Sequence, residues 1–210
     1  MLVKSKYTGK TKEEAINNAK ISLQEMEENL YIKETEVKNG LFSKKVEIEV
    51  IRRDDVIDYI KELVKEIVVN MGLTCNLEVK KRDNGLNITI LSDNNSILIG
   101  KNGRTLDSIT AIVKHAVFNE IGENFPVSID VGEYKQARIQ RLEYMAKKIA
   151  REVAYTKVPA KLDPMNSYER RVIHSILTDN KKVTTESEGE EPNRCVVIKP
   201  RLEEEIKEDE

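Results

Sequence analysis

Two short stretches carry the residue types that could do chemistry. The first is ILIGKNGRTLDSI, residues 97–109, in which Gly100 and Gly103 enclose Lys101 and Asn102, with Arg104 directly after them. Glycines lack the Cβ that would hold a ligand off the backbone, and N–H groups entering a helix point at an anion. Lys101 and Arg104 add positive charge without demanding a particular base. The second stretch is Ser167-Tyr168-Glu169-Arg170-Arg171-Val172-Ile173-His174. On a helical wheel Met165, Glu169, Val172, Ile173, Ile176 and Leu177 share one side, and Ser167, Arg170, Arg171 and His174 share the other. Arg170 and His174 stand at i and i+4 and are neighbours. An exposed cationic pair beside Ser167 suits a phosphate contact, and a solvated helix face fits the same pattern.

Other chemistries are excluded or left without support. GKNGRT lacks the earlier glycine and the GK[ST] ending of a nucleotide-hydrolase phosphate loop, and GxGxxG is absent. No Cys, Asp or second His shares the face of His174, so it is not read as a metal ligand. His115 lies opposite the apolar side of its helix and reads as surface. Cys75 and Cys195 are single and far apart, and read as incidental residues of a reduced, cytoplasmic protein. No nucleophile–base or carboxylate pair stands in a convincing frame. The expectation is a binding protein, not an enzyme, with no cofactor, metal or small-molecule substrate. The tyrosines form no stacking pair visible from sequence.

Composition agrees with binding. Of 210 residues 34% are charged and 5% aromatic, with no Trp and a mean hydropathy of −0.51. No apolar run approaches the length of a membrane span, and the start, MLVKSKYTGKTKEEA, has no apolar segment of a secretory signal. The net charge of −2 conceals an uneven distribution: residues 134–201 carry 15 Lys+Arg against 9 Asp+Glu, and the last nine residues carry 1 against 6. Polyanions would favour the basic third, and the acidic tail, residues 202–210, is expected to be disordered.

The elements that position these residues follow from periodicity. Residues 1–51 read as a β-α-β-β unit: Thr11 with Glu14 forms a capping box, and Ala15, Ile16, Ala19, Leu23, Met26 and Leu30 recur at helical spacing. YIKETEV and VEIEVI then alternate as strands around Asn39-Gly40. Residues 54–132 begin with a helix capped by Asp54 or Asp55, carrying Val56, Ile57, Ile60, Leu63, Val64, Ile67 and Val68, and stopping at Gly72. CNLEVKKR and LNITILS are strands around Asp83-Asn84-Gly85. After the glycine pair, a helix to about Ile121 buries Leu106, Ile109, Val113, Ala116 and Val117, and VSIDV is a last strand. Residues 133–201 open with a long basic helix burying Ala137, Leu142, Met145, Ile149 and Val153. An extended segment to Pro164, the helix MNSYERRVIHSILT, and strands at KVTTES and RCVVIKP complete an α-β-α-β-β order. The class is α+β in three small modules.

In this order of elements, the GxxG loop of residues 100–103 resembles that of a type II KH domain, α-β-β-α-α-β. Such loops clamp about four nucleotides of single-stranded nucleic acid by their backbone. The resemblance implies that Ile97-Leu98-Ile99, which alone looks like a strand, ends a short helix. Arg-x-x-x-His after a basic helix resembles the single-strand-binding domain family named for that motif. A small N-terminal unit with GKTKEEAI, then KH, then R-x-x-x-H, resembles the bacterial Jag family, also called KhpB, over nearly the whole chain to Arg201. That family's GLFG segment reads here Gly40-Leu41-Phe42-Ser43, and Cys195 stands where a larger polar or basic residue is expected. The resemblance implies single-stranded RNA binding in post-transcriptional regulation linked to elongation, division or sporulation, and a small KH-only protein as partner. An adaptor associated with a membrane insertase and a single-stranded DNA binder are the alternative readings.

Overall fold

Thr11 opens the first helix as its spacing with Glu14 predicts. Its Oγ1 accepts the Glu14 N–H at 3.2 Å, while the Glu14 carboxylate reaches one residue further back to accept from Lys10 N–H at 2.8 Å. The computed structural model describes residues 2–39, 44–82 and 85–201. Gly40-Leu41-Phe42-Ser43, Asp83-Asn84 and the acidic tail lie outside the described residues. The chain divides into two compact units, Met1–Gly132 and Glu133–Glu210.

The first unit begins with β1 (Ser5–Gly9), α1 (Lys12–Leu23), β2 (Leu30–Asn39) and β3 (Lys44–Arg52), with β3 central in an antiparallel sheet of order β1-β3-β2. Ala15 and Ala19 of α1 close a core with Leu30, Val46, Ile48 and Val50. The helical recurrence expected to continue to Leu30 stops at Leu23. Gln24 takes a left-handed conformation, Met26 is exposed, and Leu30 starts a strand.

β3 then runs directly into α2 (Arg53–Asn70), whose N-cap is Arg52 without a side-chain cap. Asp54 and Asp55 therefore sit inside the first turn and cap nothing, contrary to expectation. There they favour the positive end of the helix dipole. Asp55 takes a two-pronged bond from Arg52 at 2.9 and 2.7 Å, and Asp54 pairs with Lys81 at 2.7 Å. Val56, Ile57, Ile60, Val64 and Val68 are buried, Leu63 and Ile67 half-buried. The helix stops before Gly72, whose φ of +79° suits a C-terminal stop.

β4 (Cys75–Arg82) and β5 (Gly85–Ser92) pair antiparallel, and β6 (Val127–Val131) joins β5 in parallel. A parallel neighbour requires a crossover, supplied by α3 (Asn95–Ile99) and α4 (Arg104–Ile121). The stretches that the sequence separates near residues 51–54 lie in one compact unit. Tyr31 of β2 meets Phe125 edge-on, with centroids 6.2 Å apart, and Lys4 pairs with Glu120 at 2.9 Å.

The second unit contains α5 (Tyr134–Thr156), β7 (Ala160–Lys161), α6 (Ser167–Leu177), β8 (Val183–Glu188) and β9 (Cys195–Pro200), in an antiparallel sheet of order β7-β9-β8. Leu142, Ala146, Ala150 and Val153 of α5 enter its core beside Ile173, Leu177, Val183, Val196 and Ile198. Ala137, Met145 and Ile149, expected inside, are half-buried. Small Ala146 and Ala150 hold the centre of the stripe, and longer side chains flank it. Cys195 is fully buried on β9, which explains why no large polar residue occupies that position. Among the described residues no helix is long and apolar enough to cross a membrane.

Candidate nucleic-acid interface

Gly100 ends α3 at φ 67° and ψ −175°, Asn102 is left-handed at φ 55°, and Gly103 is left-handed at φ 82°. Three positive φ values within four residues reverse the chain between α3 and α4. A Cβ on Gly100 would stand 2.1 Å from Thr105 Oγ1 and 2.8 Å from Thr105 Cβ. Only glycine fits. The Gly100 N–H donates to Ser96 O at 2.9 Å, finishing α3, and the Gly103 N–H reaches Gly100 O at 3.4 Å.

α4 begins at Arg104 with Gly103 as N-cap and no side-chain cap. The first N–H groups of a helix have no partner inside it, and here no side-chain oxygen from the N-cap covers them. Lys101 and Arg104 are exposed, Asn102 half-buried and Gly103 buried. Asn102 is thus less open than the sequence suggests. The Ile97-Leu98-Ile99 run ends a short helix, as the KH resemblance implies. It is not uniformly core: Leu98 is buried and Ile97 exposed. An apolar side chain at the approach to the loop is a feature that the hydrophobic run hides in sequence.

In the second unit α6 starts at Ser167, because Asn166 Oδ1 accepts from Glu169 N–H at 3.0 Å. Met165 consequently precedes the helix. Ser167 and Arg171 are exposed and stand at i and i+4. Arg170 and His174 do not form the exposed cationic pair expected. Arg170 is only 7% exposed. Its Nη1 donates to Met165 O at 2.7 Å, and its Nη2 pairs with Glu191 at 2.8 Å. His174 is half-buried, with Nδ1 2.6 Å from Thr185 Oγ1 and Nε2 2.9 Å from Ser187 Oγ. The reason is the β8–β9 hairpin, which packs beside α6 and covers a side that a wheel of the helix alone leaves open. Thr185 and Ser187, two apart on β8, point to the same face; that spacing was the available signal.

Burial, with the Arg170 charge beside it, holds the His174 imidazole below its ordinary pKa. At neutral pH it is an uncharged bridge between two hydroxyls. The exposed positive charge of this helix is therefore Arg171. Glu169, on the side of α6 that looks apolar in sequence, is buried against Arg138 of α5 at 2.7 Å, and its Oε2 has no hydrogen-bond partner. Among the described residues no group of three or more His, Cys, Asp or Glu could hold a metal ion.

Comparison with known proteins covers both candidate binding segments. The family described as "KhpA/KhpB, KH domain" matches residues 57–129, and the domain family named for the R-x-x-x-H motif matches residues 140–200. Both are binding domains. The chain is 36% identical over 197 residues to RNA-binding protein KhpB of Clostridium symbiosum, covering 91% of this chain and 89% of that one. RNA-binding protein KhpB of Bacillus subtilis is 30% identical over 162 residues, 76% of this chain and 78% of that one. The Lactiplantibacillus plantarum protein of the same name is 35% identical over 141 residues, which is 67% of this chain and 42% of that longer one. With a KH match followed by an R-x-x-x-H match, and a relative aligned along nearly all of both chains, the chain belongs to the KhpB family.

Proposed function

We propose that this chain is a single-stranded RNA-binding protein that acts after transcription. Gly100, Lys101, Asn102 and Gly103, with Arg104, hold the backbone of a short segment. The observation that carries this reading is the loop itself: glycine that nothing else can replace, exposed Lys101 and Arg104, and a helix start without a side-chain cap. In the second unit Ser167 and Arg171 contact phosphates from the open side of α6. Arg170 and His174 fix the hairpin beside it, and Arg170 reaches a phosphate only by exchanging the Glu191 carboxylate.

Two weakly binding surfaces in one chain gain affinity through effective concentration. The relatives named RNA-binding proteins favour RNA over DNA as the ligand. The KH match to a family that includes KhpA favours a small KH-only protein as partner. A cytoplasmic location and a role in elongation, division or sporulation belong to the same reading.

Crosslinking in cells with RNA sequencing tests it. Lys101→Asp with Asn102→Asp places two carboxylates against the phosphates and is expected to reduce recovered RNA to background. Lys101→Asp alone, at an exposed position, guards against a folding defect from half-buried Asn102. Recovery of the same RNAs at wild-type levels from both variants would reject the loop as a clamp.

A further inference from the structure

α5 carries a surface that neither the loop nor the R-x-x-x-H face uses. Its core stripe, Leu142, Ala146, Ala150 and Val153, fixes which side faces out. Directly opposite stand Tyr144 and Tyr155, 75% and 90% exposed. Eleven residues of helix separate them by about 16 Å along the axis. Within about 50° of the line joining them lie Arg141, Lys148 and Arg151, and no acidic residue. Lys147 and Glu152 stand at the two margins of this stripe. None of the four cations forms an ion pair with a described residue, and neither tyrosine forms a ring contact with one. A solvated helix face accounts for the cations. It gives no reason for two large aromatic rings on the outward line of the same stripe, each leaving most of its surface in water.

From this juxtaposition we infer that the outer face of α5 is a track for single-stranded RNA, with Tyr144 and Tyr155 as stacking platforms for bases and the four cations between and beside them for the phosphates. Aromatic rings alternating with positive charge suit an unpaired strand, whose bases are free to splay out and whose phosphates run between them. Stacking on tyrosine uses the π-face that every base has, so the track is tolerant of sequence. A duplex offers no free base faces to these rings. The inference rests on the RNA-binding reading above and extends the bound strand along the second unit.

The full chain, titrated with a twelve-residue oligouridine, provides the test. Tyr144→Ser with Tyr155→Ser is expected to weaken binding about tenfold or more, the scale of one stacked base. Tyr144→Phe with Tyr155→Phe, which keeps both rings, is expected to bind within about twofold of wild type. Ultraviolet crosslinks mapped by mass spectrometry are expected on Tyr134–Thr156 of the wild type. Both tyrosines are exposed, so circular dichroism of the Ser variant should match wild type. Wild-type affinity in the Ser variant, with no crosslink on α5, overturns the track and leaves the loop reading intact. Failure of the unaltered chain to bind the oligouridine overturns both. Equal binding of a matched duplex, lost with the same Ser substitutions, overturns stacking as the mode of contact.

Discussion

Arg170 and Glu191 form an ion pair at 2.8 Å in which the guanidinium is buried and the carboxylate is 62% exposed. The arginine that names the motif is thus anchored below by the Met165 carbonyl and closed above by an acid from the β8–β9 connection. A carboxylate presents to Arg the same two-oxygen geometry that a phosphate would. Removing that acid without removing the arginine separates the two roles. Glu191→Gln is expected to tighten RNA binding, by up to about fivefold at low salt, the scale of an exposed ion pair. Arg170→Ala is expected to act on the fold, costing about 1–3 kcal/mol because the Met165 carbonyl loses its donor. Oligonucleotide titration of the first variant and chemical unfolding of the second give the two answers. A Glu191→Gln protein that binds no tighter at low salt would show that Arg170 is structural alone.

His174 gives a pH signature with a definite sign. Burial and the neighbouring Arg170 charge depress its pKa in the folded state, so the unfolded chain takes up the proton first, near pH 6.5. Stability is then fully present above that value and declines as pH falls through it towards the folded value. The groups facing the ring are Arg170 on its own helix and the Thr185 and Ser187 hydroxyls of β8. Neither hydroxyl supplies the negative charge that would restore the imidazolium. Between pH 7.5 and 5.5 the wild type is expected to lose more stability than His174→Gln, which cannot titrate. Thermal unfolding of both proteins at the two pH values measures the difference. Parallel losses would remove His174 from the account.

Much of this arrangement was legible in the residues, and the failures share a cause. Alternation and turn residues located most strands, and the glycine pair gained its meaning from its place between a hairpin and a helix. Three readings differ from the structure because each takes one helix without its neighbours. Arg170 and His174 lie on the polar side of α6, yet a hairpin more than ten residues downstream covers that side. Asp54 and Asp55 look like caps, but β3 enters α2 with no break for a cap to fill. Met145 and Ile149 look like core residues, and they pack half-buried against a core whose α5 centre is Ala146 and Ala150. The tyrosines illustrate the opposite case. Their spacing of eleven residues already puts Tyr144 and Tyr155 on one face of a helix, but only the position of the α5 core shows that this face points outward.

Gly100 and Gly122 separate steric from conformational cost. Both have positive φ, +67° and +81°, but a Cβ on Gly122 meets nothing within 4 Å, whereas one on Gly100 collides with Thr105. Gly122→Ala is expected to cost roughly 1–2 kcal/mol, the penalty of a left-handed residue with a Cβ. Gly100→Ala carries a backbone penalty and also pushes Thr105, and hence the start of α4, out of place. It is expected to cost more in stability and to lower RNA affinity at the same time. Urea unfolding and oligonucleotide binding of both variants are the measurements. Equal stability losses would mean that the α3–α4 turn relaxes freely, and the tight-loop description would fail.

Arg138 and Glu169 tie α5 to α6 through a single bond at 2.7 Å, with both side chains largely buried and Glu169 Oε2 unpaired. A buried ion pair contributes little net stability, but loss of one partner strands the other charge in a poor solvent. Arg138→Met is therefore expected to destabilise the second unit by about 3–5 kcal/mol. Glu169→Leu in the same protein removes the stranded carboxylate together with its orphaned oxygen. The double variant is expected to recover most of that loss. Chemical unfolding of the two single variants and the double variant gives the coupling directly. Additive losses would show that the two side chains act independently. Recovery in the double variant would show that the cost of the single changes is the stranded charge and not the loss of the pair's own attraction.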